Sequence, residues 1–284
     1  MTAKPLQHTL GLVQTDPGLS VLRLAAQYAS VDGVLDDETL DIMYERVEDG
    51  VLSSLAPAAV WQELACGLMM PVPSRMFGAL YASDALSVVL PEVAALFGVP
   101  QIADDPPQVD IGQHTLRVLD EAALSDAPLA VRFAALVMNV GKADSPPEHL
   151  PVHYRHIERG TPRIQALCER LGVPQECRNL ALLAIAECER VHRATEMRAG
   201  PVALMLERLG AFTQPGRFAQ FMTLCACDYG AYPGRITQDY PKAKLLRTAL
   251  RACEGLSADN AETLREARVL AIAAALRSER WAGC

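Results

Sequence analysis

The stretch that most constrains this chain is Phe133–Lys142, FAALVMNVGK. Phe133, Leu136, Val137 and Val140 recur at helical spacing, which predicts a helix apolar enough to be buried. Gly141 stands where a left-handed C-cap belongs, and Lys142 complements the negative end of the helix. Asn139 is unexpected there, because an amide in a dry core must find hydrogen-bond partners. A helix of this kind needs other helices packed around it.

The rest of the chain supplies them. Hydrophobic residues make up 50% of the 284, while aromatics are only 5% and Ala and Leu dominate, a composition that favours packed helices over strands. Asp16-Pro17 reads as a helix start, with Val21, Leu22, Leu24, Ala25 and Tyr28 on one apolar face. Helices are predicted from Asp36 to Gly50, from Pro57 to Met70 and from Ser74 to about Leu86. Pro100–Gln108, with three prolines and two acids in nine residues, reads as a linker. Beyond it, helices are predicted near Gly112–Ala123, Pro128–Val140, Thr161–Leu171, Pro174–Arg193, Pro201–Leu209, Pro215–Tyr229, Pro241–Cys253 and Ala258–Arg280. No segment sustains period-two alternation, and no repeat points to a solenoid. The expected fold class is all-α.

Composition also narrows the function. A net charge of −8 argues against a broad nucleic-acid footprint, which needs clustered Lys and Arg, although a local basic groove stays compatible with it. Arg132, Lys142, Arg155, Arg159, Arg163 and Arg170 read as a solvated helix face, with a phosphate-facing surface as the alternative. Eight scattered cysteines without a C-x-x-C pair point to a reduced, cytoplasmic protein. Cys225-Ala-Cys227 alone is a weak metal signal. Residues 1–15 read as a short irregular leader with no apolar h-region, and no run approaches about 18 apolar residues, so no membrane segment is expected.

Several segments carry a resemblance. FAAL…GK has the frame of the central helix of the HD-domain superfamily. LPEVAALFGVPQ (Leu90–Gln101), DIGQHTLRVLD (Asp110–Asp120) and DYPKAKLLR (Asp239–Arg247) are similar to bacterial CCA-adding enzymes, the tRNA nucleotidyltransferases that carry a C-terminal HD domain. The likeness runs from about Asp16 to Leu256, with Asp16–Ser30 and Ala59–Leu64 resembling that family's neck and body. It implies a multi-helical neck/body region over 1–103, an HD-like helical bundle over 104–256 and a C-terminal helix over 257–284. No counterpart of the family's catalytic head is found, neither a Gly-Ser phosphate loop nor paired metal-binding Asp residues.

The resemblance also assigns candidate residues. An HD site gathers His and Asp from several helices around divalent metal, whose bound water becomes the nucleophile. Here His114 matches the first histidine, while Met138 and Asn139 replace the central His-Asp pair. His153, His156 and His192 match later histidines, Cys188 takes a usual histidine position, and Asp228 matches the closing aspartate. A thioether and a neutral amide make a hydrolytic dimetal centre an unfavourable reading. Histidines bonded to one another across a polar cavity are the bland alternative, and no cofactor is assigned unless this remnant holds a divalent metal. In the neck, Asp16 and Arg23 are what remains of a nucleotide-selecting motif. The resulting expectation is a headless, non-enzymatic protein binding tRNA or a nucleotide-like ligand. The alternative is a metal-dependent HD-type phosphohydrolase acting on a small phosphoester.

Overall fold

The computed structural model describes residues 16–193 and 198–282; Thr15, the leader and Cys284 lie outside them. The fold is predominantly α-helical. The first group of helices is α1 (Pro17–Tyr28), α2 (Asp37–Glu48), α3 (Pro57–Leu68), α4 (Pro73–Ala82), α5 (Ala85–Val89) and α6 (Pro91–Ala94). Proline at the first position starts α1, α3, α4 and α6, where its missing N–H costs nothing. Asp16 caps α1 by accepting from the backbone N–H groups of Gly18 and Leu19, both at 3.1 Å. Arg23 is paired with Glu63 of α3 at 2.8 Å. These are the bonds that occupy the two neck residues singled out above.

The proline-rich stretch at 100–108 is not a bare linker. Strands β1 (Pro100–Ile102) and β2 (Gln108–Asp110) pair antiparallel as a short hairpin. Three residues per strand are too few to show alternation in the sequence. Asp110 then caps α7 (Ile111–Leu124), accepting from Gln113 N–H at 2.7 Å.

Four helices form the second bundle's centre: α7, α8 (Leu129–Val137), α10 (Gln175–Arg193) and α12 (Pro215–Gly230), with α9 (His156–Leu171) alongside. Every residue of α8 from Ala130 to Val137 is buried, as its all-round apolar pattern requires. Helices α11 (Ala199–Arg208), α13 (Pro241–Ala252) and α14 (Ala261–Ala282) pack on one another at the end of the chain. Arg265 and Arg268 of α14 both reach Glu207 of α11 at 3.1 Å, so among the described residues these bridges tie helix to helix.

Two sequence expectations are corrected here. Gly141 is no left-handed cap; it lies in a 3-10 turn, Val140–Lys142, against α9. A Cβ on it would stand 1.9 Å from the His156 carbonyl oxygen and 2.7 Å from Gly160 N, so its role is close approach of two backbones. The basic residues of the second half do not form one solvated face: Arg132 and Lys142 are buried, whereas Arg155 and Arg170 are exposed. Arg132 is 4% exposed; it donates to the carbonyls of Ala127, Leu68 and Met70 at 2.8, 2.9 and 3.0 Å. Arg159 donates to Gly141 O, Arg163 pairs with Asp144, and Arg170 grips Glu92 through two bonds of 2.9 Å. Arg155 is exposed and, among the described residues, pairs with Glu158. Arg132 thus bridges carbonyls that helix ends leave unpaired, while Arg155 and Arg163 pair with exposed acids.

Candidate functional site

The site is built on α7, α8, α10 and α12, each contributing at a fixed register. His114 sits in the first turn of α7 and Asp228 in the last turn of α12. Cys188 and His192 lie one turn apart on α10, and Met138 and Asn139 follow the end of α8. Met138, Asn139, Cys188, His192 and Asp228 border a cavity of about 510 Å³ whose wall also includes Lys142, His156, Glu189, Tyr229, Tyr232, Arg235 and Tyr240, while His114 is buried behind Asp228. A volume of this size suits a nucleotide-sized group.

Asp228 is the hub. His114 Nε2 lies 2.9 Å from its Oδ1 and His192 Nε2 lies 3.0 Å from its Oδ2. Burial alone would raise the Asp228 carboxyl, but these two imidazoles override it and hold the group far below the usual carboxylate range. Burial likewise disfavours a charged His192, yet the net direction is upward. Cys188 and Asp228 both act in that direction. The Cys188 thiol is itself driven well above its ordinary range by Cys225 and by burial, so its sulfur is neutral at pH 7. The Asp228 carboxylate is therefore the partner that keeps His192 protonated. His114 is fully buried, and its Nδ1 has no hydrogen-bond partner among the described residues.

The other histidines are employed differently. His153 donates from Nε2 to the Pro100 carbonyl at 2.9 Å, so its Nδ1 accepts from the Ser145 hydroxyl at 2.7 Å. Both nitrogens are spent, and burial followed by nearby Lys142 pushes its pKa down. His156 donates from Nδ1 to the His153 carbonyl at 2.9 Å, leaving Nε2 3.8 Å from Glu189. Of the sequence candidates, His114, Cys188, His192 and Asp228 meet, with Met138 and Asn139 on the same cavity wall. His153 is turned to the hairpin.

Sequence reasoning missed a second network. Lys142, read as a helix-end charge, is 6% exposed; it reaches Glu189 at 2.7 Å and Gln101 Oε1 at 3.0 Å. Gln101 donates onward to the Tyr232 hydroxyl at 3.1 Å, and the Tyr232 ring lies 4.3 Å from that of His114. Burial would push Glu189 up, but Lys142 and then His156 hold it down at about 2. Arg235 pairs with Asp104 and lies 4.7 Å and 5.0 Å from the ring centres of Tyr229 and Tyr232. Cys225, read in the sequence only as part of a weak Cys225-Ala-Cys227 metal signal, lies 3.7 Å from the Cys188 sulfur. It is three residues before Asp228, hence on the same helix face, and that spacing was the available signal.

The donor set does not fit the hard dimetal centre that the HD resemblance implies. Met138 offers a soft neutral sulfur, Asn139 no charge, and His153 no free nitrogen.

No family model matches the sequence. The chain is 43% identical over 91% of its length to a protein of Nitrosospira multiformis named "Multifunctional CCA protein", of which it spans 62%. It is 41% identical over 97% of its length to a Burkholderia cenocepacia protein of the same name, of which it spans 70%. A Halorhodospira halophila protein, also so named, is 41% identical over 96% of the chain. The chain belongs to the CCA-adding enzyme family. That membership corrects the expectation of a non-enzyme: tRNA nucleotidyltransferases are enzymes, and the chain's function is related to theirs. Among the described residues of this CCA-family chain, no helix is long and apolar enough to cross a membrane.

Proposed function

We propose that this chain works in an enzyme of the tRNA nucleotidyltransferase type, acting on tRNA, and that its cavity receives the end of the tRNA strand. The observation that carries this reading is the cavity wall itself. Arg235 lies close to the faces of Tyr229 and Tyr232 on that wall. Single-stranded RNA ends are held by stacking unpaired bases on aromatic rings and guanidinium planes, with cations against the phosphates. Lys142 and His156 add positive or donor groups deeper in. An acidic chain can keep such a site because the cations are held locally by Glu189 and Asp104 rather than spread over the surface.

Hydrolysis of a small phosphoester by a divalent centre has less support, for the donor-set reasons given above. The test is competition. With labelled tRNA, the purified chain is expected to prefer an intact 3′ end over the same tRNA with its last three nucleotides removed. R235A is expected to weaken binding of the intact form about tenfold and to abolish the preference. Equal affinity for both tRNAs in the parent chain, or an R235A variant that binds like the parent, would remove the cavity from the account.

A further inference from the structure

A group of three side chains, two of them on the cavity wall and the third buried behind it, is not used by the reading above. Cys188 and His192 sit one turn apart on α10, and Cys225 faces them from α12. Their ligating atoms all lie within 4.8 Å of one another. The two sulfurs are 3.7 Å apart, and the Cys188 sulfur is 3.3 Å from His192 Nε2.

We propose that Cys188, His192 and Cys225 form a soft-metal site that takes one zinc ion, with its fourth position open to the cavity. The distances are the first argument. A tetrahedral zinc with bonds of about 2.3 Å to sulfur and about 2.0 Å to nitrogen sets its ligands apart by about 3.8 Å for sulfur–sulfur and about 3.5 Å for sulfur–nitrogen. Both separations, 3.7 Å and 3.3 Å, are within a few tenths of an ångström of those edges. The chemistry is the second argument. Two thiolates and an imidazole select zinc over magnesium or manganese, which prefer oxygen.

The surroundings complete the design. His192 Nδ1 lies 3.0 Å from the Tyr240 hydroxyl, a partner that can accept Nδ1–H and so leave the Nε2 lone pair for the metal. Asp228 Oδ2 stands 3.0 Å from the same Nε2, at the edge of the open position, while His114 holds the other carboxylate oxygen. Binding releases the thiol protons and the Nε2 proton to solvent, and the two thiolates then neutralise the charge of the zinc ion. In this family member, thiolate ligands from α10 and α12 stand beside the position where the HD resemblance implied a His-Asp centre.

The experiment uses the full 284-residue chain. Elemental analysis after purification without chelator is expected to give about one zinc per chain. Cobalt added to the zinc-free protein is expected to give a saturable thiolate-to-cobalt charge-transfer band that zinc abolishes. The double variant C188S/C225S is expected to retain less than about a tenth of the metal, whereas C66S, at an exposed cysteine, keeps all of it. The cobalt titration of the parent chain decides the matter even where the double variant folds poorly. The proposal is overturned by the lack of a charge-transfer band in the parent. It is equally overturned by metal content unchanged in a folded C188S/C225S.

Discussion

Replacing Gly141 by alanine is expected to destabilise the protein by about 3 kcal/mol, one of the largest effects of any single methyl group in this fold. The added carbon would meet backbone on the neighbouring helix: His156 O at 1.9 Å, Gly160 N at 2.7 Å and Gly160 Cα at 2.8 Å. Backbone cannot rotate away as a flexible side chain can, so α9 and the 140–142 turn must separate. That movement would also shift Lys142, which ties the turn to Glu189 and Gln101. Gly78, in the interior of α4, is the internal control, because a Cβ there meets nothing within 4 Å. G78A should be neutral or stabilise by roughly 0.5–1 kcal/mol through helix propensity alone. Thermal melts of the two variants should therefore move in opposite directions, G141A falling by about 6–10 °C. A G141A melt within a degree of the parent would show that the two backbones do not cross closely.

The second large effect is at Arg132. Its guanidinium joins α8 to the end of α3 by donating to the Leu68 and Met70 carbonyls, and to Ala127 within its own bundle. R132L keeps much of the stem's apolar volume but leaves those carbonyls without their donor, at a cost of about 2–4 kcal/mol. R132K restores one donor group without the planar fork and should cost about half as much. Urea denaturation followed by circular dichroism gives the comparison. An R132L change below about 0.5 kcal/mol is what a solvated surface arginine would show, and it would contradict the bridging role.

These two residues also mark where the sequence could be read and where it could not. Helix starts were legible where a proline or an acidic cap stood before a long apolar run, as at Asp16-Pro17 and Asp36, but not at the short helix that Pro91 opens. The positions of His114, Cys188, His192 and Asp228 were legible as site candidates because the resemblance to the HD family assigned each of them. Gly141 and Lys142 were misread because a local pattern offers them cap roles. Their actual partners, Gly160 and Glu189, are distant in the chain and visible only once α9 and α10 are packed. Arg132 was misread for the same reason: a charged residue in an apolar helix signals burial only when its carbonyl partners are known. The stretch at 100–108 hid its hairpin because its prolines resemble those of a linker, and Gln101 gained its role through Lys142 and Tyr232.

The most direct test of the central claim, that the cavity takes the tRNA end, is a photocross-link from the strand terminus. A tRNA carrying a photoreactive 3′-terminal nucleotide would be irradiated with the full chain and the adduct located by peptide mass spectrometry. The account predicts adducts between residues 225 and 242, at Tyr229, Tyr232 or their neighbours on the cavity wall, and their loss when unlabelled intact tRNA competes. Adducts confined to α1–α6 or to α14, with none on the cavity wall, would contradict it.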